Sequence, residues 1–214
     1  MISFLPLKNS ETQIAMKPFL SFGITLIISS LFLFSRPEAV GQTASEPLLL
    51  TSCGQSPGPV RAKVFLQKLG IVFEYNALAK AEDLAAKKKE GKPYKTLMIV
   101  TGASLKGMGA AGVSIDEEII RTKALIAEAK KQGIKIIGAH IEGMSRRSQG
   151  ASAGDNSDEM SIDAVCPVSD FMIVKKEGDS DQRFTTISKS KNVPLLLFEL
   201  NNDMLEILKK VFSK

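Results

Sequence analysis

The sequence predicts an α/β domain of Rossmann-like, three-layer architecture, with a mainly parallel sheet of about six strands between helices. Three observations lead there. Short aliphatic runs, among them LLLTS at 48–52, TLMIV at 96–100 and PLLLFE at 194–199, alternate with stretches long enough for helices. The runs are apolar throughout rather than at every second residue, as strands covered on both faces require. Glycine and proline punctuate the joins. Charged residues at 24% and apolar ones at 44% of 214 residues suit one globular domain with one core.

The elements follow in order. LLLTS opens the fold, and Pro57 and Pro59 mark the first turn of a helix running to about Leu69, where proline forfeits only an amide that has no partner. IVFEY at 71–75 reads as the second strand. A lysine-rich helix follows, with Lys80, Lys87, Lys88, Lys89, Lys92 and Lys95 in or beside it, and it reads as a solvated face. After TLMIV comes a glycine-rich loop, then a helix from Ile115 to about Gln132. Ser114 and Glu117 spell the capping box that starts this helix, and Gly133 ends it in the left-handed region. Helical spacing places Ile119, Ile120, Ala124 and Ala127 on its inner face. IKIIGA at 134–139 is the fourth strand. The polar stretch from Ser145 to Ser161 fits neither period and reads as a loop. FMIVKK at 171–176, a short helix, PLLLFE and a helix from about Asn202 to Phe212 complete the repeat.

The first 45 residues read as a leader and residues 46–214 as the single domain. Lys17 precedes an uncharged apolar run from Phe19 to Phe34, which closes on Ser35, Arg36 and Pro37. Such a run is an export signal or a membrane anchor. Its length of about 24 Å falls short of the ~30 Å hydrocarbon layer, which favours a cleaved signal. Ala39 and Gly41 supply the small residues for cleavage before Gln42, and Met16 offers an alternative start to Met1. The expected location is extracytoplasmic, with membrane contact only through this segment. Leu50 to Cys53 imitate a lipoprotein box but stand too far from the apolar run. Cys53 and Cys166, the only cysteines, fall at opposite ends of their strands and are expected as free thiols.

Ligand sites in parallel sheets gather at the strand C-termini, beside helix N-termini. Three segments fall there. The first is Thr51, Ser52, Cys53, Gly54, Gln55 and Ser56; the second holds Gly102, Ser104, Lys106 and Gly107; the third holds His140, Arg146 and Arg147. Gly107, Gly109 and Gly112 satisfy a GxGxxG spelling, but TGASLK intervenes after the strand and the helix starts only at 115, so a dinucleotide loop is not indicated. Met108 stands where a phosphate-binding loop needs lysine. The remaining reading is a nest of amides with Ser104 and Lys106 that accepts a small anion, Arg146 or Arg147 closing on it. The competing reading is a hydrolase or transferase using Ser52 or Cys53 with His140. One histidine and no CxxC pair argue against a transition metal, and no cofactor is expected. A net charge of +5 and a pI near 9.1 without aromatics to stack on bases do not suggest nucleic acid; protein partners are left open.

LLLTSCGQSPGPV, TLMIVTGASLKGMGAAGVSIDEEI, KIIGAHIEGMSRR and DFMIVKKEGDSDQRFTTISKSKNVPL together resemble an uncharacterised bacterial family of exported proteins. The resemblance covers nearly all of the chain after residue 46. It implies a signal-bearing single α/β domain with a TSxGQS opening and a loop ending in GAAG, and it brings no activity with it. Relatives tend to have alanine where Cys53 stands, which speaks against a catalytic thiol, and 148–157 resembles an insertion.

Overall fold

The computed structural model describes residues 42–147 and 156–213. The leader and most of the 148–157 insertion lie outside the described residues. Among those described, no helix is long and apolar enough to cross a membrane.

The sheet is all parallel and six-stranded, in the order β2-β1-β3-β4-β5-β6. Its strands are β1 (Leu48–Cys53), β2 (Phe73–Tyr75), β3 (Thr96–Thr101), β4 (Lys135–His140), β5 (Phe171–Lys175) and β6 (Leu195–Phe198). Strand order reverses between β1 and β3, which pair from Leu48↔Thr96 to Cys53↔Thr101. Helices α1 (Gly58–Lys68) and α7 (Asn201–Val211) cover one face, over Leu48, Leu50, Met98, Val100 and Ile137. On the other face α2 (Ala81–Lys89) and α4 (Ile115–Gln132) pack over Leu49, Leu97, Ile99 and Ile136. Beside them α5 (Ser157–Val165) and α6 (Arg183–Lys191) pack over Met172 and Val174. Both faces of the inner strands β1, β3, β4 and β5 are therefore buried, as their unbroken aliphatic spelling requires, whereas the edge strands β2 and β6 stay partly exposed.

The cap signals are in place. The Glu117 amide donates to Ser114 Oγ at 3.2 Å and the Ser114 amide donates to the Glu117 carboxylate at 2.7 Å, and Gly133 ends α4 at φ 71°. The inner face of α4 differs from the expectation. Its buried residues are Glu118, Thr122, Leu125, Ile126 and Ala129, whereas Ile120 is 69% exposed. The buried stripe opens on a carboxylate and a hydroxyl because its first turn meets polar loops rather than aliphatic strand.

The glycine-rich segment is not a loop but a seven-residue helix, α3 (Leu105–Ala111). Ser104 overrides the poor propensity of the glycines by capping it, its Oγ accepting from the Gly107 amide at 3.1 Å. Gly107 serves close approach: a Cβ there would stand 2.1 Å from the Gln55 carbonyl oxygen, whereas one at Gly109 would meet nothing within 4 Å. Part of the polar stretch read as a loop is also helical, since α5 takes in Ser157 to Ser161.

The two glycines of α3 should respond oppositely to the same change. Gly107→Ala is expected to lower stability by about 1–3 kcal/mol through overpacking, and Gly109→Ala to raise it by about 0.5–1 kcal/mol through helix propensity. Urea midpoints of both variants check this; shifts of the same sign would contradict the packing of α3 on Gln55.

Candidate functional site

The loops after β1 and β3 lie side by side at the reversal of strand order, the position where open α/β sheets bind ligands. A bridge joins Gln55 to Ala103, and the Ser104 amide donates to the Gly54 carbonyl at 2.8 Å. Gly54 and Gly102, at φ 102° and 138°, allow this contact; a Cβ on Gly54 would stand 2.6 Å from the Gly102 oxygen.

Side chains from elsewhere in the fold take most of the amides of this rim. Glu118 Oε2 accepts from the Gly54 amide at 2.9 Å and from Gln55 Nε2 at 2.8 Å. Glu142 Oε2 accepts from the Gly58 amide at 3.0 Å, at the start of α1, with Ser56 Oγ on the same amide at 3.2 Å. Asp158 Oδ1 accepts from the Ala103 amide at 2.5 Å, and Ser161 Oγ from the Gly102 amide at 3.0 Å. The Gln55 amide turns back onto Ser52 Oγ at 2.9 Å. The expected nest of free amides is thus filled by the protein's own carboxylates and hydroxyls.

Glu118 is fully buried and pairs with Arg121 through Nε at 2.8 Å and Nη2 at 2.9 Å. Arg121 also donates to the Ser52 carbonyl at 2.6 Å and the Ala79 carbonyl at 2.7 Å, and Gln55 Nε2 reaches the Ala77 carbonyl at 3.1 Å. One ion pair on α4 therefore fixes the loops after β1 and β2 together. Glu118, Arg121, Glu142, Asp158 and Ser161 were missed as site residues in the sequence. The available signals were Glu118 and Arg121 at i, i+3 on α4 and Glu142 and Arg146 at i, i+4, and both read equally as surface pairs.

The candidates from the sequence divide into three groups. Thr51, Cys53 and His140 reach the rim in sequence but are fully buried. Burial, reinforced by the charge of Glu118, pushes the Cys53 thiol up to about 11, so it stays protonated and is a poor nucleophile. Cys166 is likewise a buried free thiol. Burial pushes His140 down to about 4. Its Nε2 lies 3.1 Å from the Gly143 carbonyl, which can only accept, so this nitrogen carries the proton; Nδ1 faces Thr101 Oγ1 at 3.3 Å. The ring packs on Phe184 at 5.1 Å between centroids. Neither ring nitrogen bonds Ser52 or Cys53, so the expected nucleophile and base are not brought together.

Arg147 is 6% exposed and fully committed. It donates to both oxygens of Asp181, at 3.0 and 2.6 Å, to Glu159 at 2.7 Å and to the Gly178 carbonyl. Burial works against its charge, and these carboxylates outweigh burial and raise its pKa. It ties the turn at 143–146 to α5 and to the turn before α6 and has no donor left for a ligand. Ser52, Gly54, Gln55, Ser56, Gly102, Ser104 and Gly107 do meet at the rim. Lys106 is exposed on the first turn of α3. Arg146 stands over the rim, its Cβ 3.3 Å from the place a Cβ on Gly102 would take. It makes only long bonds, Nε to Glu142 Oε1 at 3.4 Å and Nη1 to the Ala103 carbonyl at 3.3 Å. Among the described residues no group of histidine, cysteine and carboxylate ligands could hold a metal.

His140 should carry a pH signature. Below its ordinary value of 6.5 the unfolded chain takes up a proton that the folded chain refuses until about pH 4. Its contribution is complete above pH 6.5 and fades as the pH falls from there towards 4, by roughly 3 kcal/mol at about 1.4 kcal/mol per pKa unit. Urea midpoints of the wild type and of His140→Gln should converge over that interval; a constant difference would contradict the buried, neutral imidazole.

Among curated proteins nothing matches this chain. Solved structures match it weakly. The esterase EstA of a Pseudoalteromonas species is 14% identical over 71% of this chain and 75% of its own, with a TM-score of 0.34. A putative lipolytic protein of the G-D-S-L family from Desulfitobacterium hafniense is 15% identical over 73% and 81%, at 0.32. A GDSL-like lipase from Bacteroides thetaiotaomicron is 11% identical over 77% and 83%, also at 0.32. Likenesses of this strength carry no argument about the site. The model of one family, by contrast, matches residues 45–212, the whole of the folded domain, and the chain belongs to that family, the domain of unknown function DUF6305.

Proposed function

We propose that this protein is an exported domain that binds a small anionic molecule at the rim between β1 and β3, through side-chain cations rather than backbone amides. The observation that carries the reading is Arg146. Its guanidinium stands at the reversal of strand order, its side chain is 29% exposed, and its own chain holds it only through bonds of 3.3 and 3.4 Å. Among the described residues its Nη2 has no partner. A planar donor of this kind suits a carboxylate or phosphate group. Ser56 offers a hydroxyl on the same side of Gly102, and Lys106, exposed on α3, offers a second cation. Glu142 competes with the ligand for the same guanidinium, so it acts as an internal occupant of the site.

Native mass spectrometry of the protein purified from its own host, under conditions that keep small molecules bound, identifies the ligand. For that molecule Arg146→Ala is expected to weaken binding at least about tenfold, the worth of one charge-assisted contact. Glu142→Gln keeps the acceptor for the Gly58 amide while releasing Arg146, and should strengthen binding. Unchanged affinity in both variants would overturn the site. Fractionation of host cells tests export, and a protein found only in the cytoplasm would overturn that part.

A further inference from the structure

The opposite end of the domain, where strands begin and helices end, carries a charge pattern that the rim does not use. Helices α1, α2, α4, α6 and α7 each have lysine in the last turn. In a parallel sheet all these helix ends point the same way, and hydrogen bonds stitch this end together. The Lys95 amide donates to the Pro47 carbonyl, Lys135 to Lys95, and Ala44 to Val211. Lysine in a last turn complements the helix macrodipole, but that does not account for Lys92, Lys95 and Lys135, which lie outside the helices and are exposed at the same end. Acidic residues are fewer here: Glu46, Glu74, which pairs with Lys87, Glu90, Glu128, which pairs with Lys131, and Asp170, which accepts from the Ile136 amide. Carboxylates concentrate instead in the first turns of α2, α4, α5 and α7 at the rim.

We propose that this lysine-rich end is a docking surface for a lipid bilayer with anionic headgroups. Two observations favour a bilayer over another polyanion. The described chain begins at this end, Ala44 bonded to Val211 and the Ser45 amide to Thr96 Oγ1. The sequence places the uncharged apolar run Phe19–Phe34 only residues 35–44 away, a reach of at most ~35 Å. In the uncleaved chain a membrane-inserted run would hold the lysines near the headgroups, where each is worth a several-fold gain in binding and acts within about one Debye length. Single-stranded nucleic acid would need stacking partners, yet Tyr94, the aromatic beside the lysine run, is 5% exposed with its hydroxyl on Glu74. Docking by this end goes beyond anchoring by the leader alone, is independent of the ligand reading, and leaves the rim facing away from the membrane.

Flotation of the full chain with phosphatidylcholine vesicles, with or without about one third phosphatidylglycerol, tests it. The expected result is at least about tenfold more binding with phosphatidylglycerol at low salt, most of it lost in 0.5 M salt. Lys130→Glu with Lys210→Glu, on α4 and α7 of this end, should remove the preference. Lys80→Glu with Lys176→Glu, the same charge change at the other end, should leave it. Equal binding to both vesicles means that the apolar run acts alone and overturns the proposal. Equal loss in both double variants means net charge without an oriented surface, and also overturns it. Tighter binding of duplex DNA than of anionic vesicles would overturn the choice of partner. The salt dependence of the wild type decides the matter should a variant fail to fold.

Discussion

The Glu118–Arg121 pair is the constraint on which the candidate site depends. A carboxylate with no exposure is tolerable only when its oxygens are fully engaged, and here they receive Arg121, the Gly54 amide and the Gln55 side chain. The guanidinium in turn spends two further donors on the Ser52 and Ala79 carbonyls. Removing either partner from such a buried pair typically costs about 3–5 kcal/mol, because the survivor is left uncompensated. The first turn of α4 thereby acts as a clamp, and the loops after β1 and β2 take their shape from it.

The same principle recurs around the rim. Glu142 sits on the first amide of α1 and Asp158 on the amide of Ala103, where an external anion would otherwise be drawn by free N–H groups and the helix macrodipole. These internal anions satisfy buried donors and rigidify the loops. The donors left incompletely engaged at the rim are therefore side chains, of which Arg146 is the clearest.

Much of the architecture was legible because it is written in local signals. Aliphatic runs located the inner strands and β6 within a few residues, IVFEY located the edge strand β2, and the Ser114–Glu117 box and Gly133 fixed both ends of α4. What escaped notice depends on tertiary context. Glycine-rich 105–111 is helical because Ser104 caps it and the Gln55 carbonyl leaves no space for a Cβ at 107. The inner face of α4 opens on Glu118 and Thr122, so a reading by apolar periodicity chose Ile120, which is exposed. Thr51, Cys53 and His140 were placed correctly along the strands, but sequence position at a strand end does not reveal depth, and all three turn inward. The roles of Glu142 and Asp158 at the rim escaped notice, since the amides of Gly58 and Ala103 that donate to them are distant in sequence.

The domain emerges as polarised, with lysines at the end where strands begin and self-occupied carboxylate contacts at the end where they finish. Its central claim is that the rim amides are held internally. Residue-resolved amide hydrogen exchange at Gly54, Gly58 and Ala103 tests that most directly. The account predicts exchange slowed to the level of neighbouring strand amides such as those of β3; exchange at these three positions near the rate of an unfolded chain would contradict it.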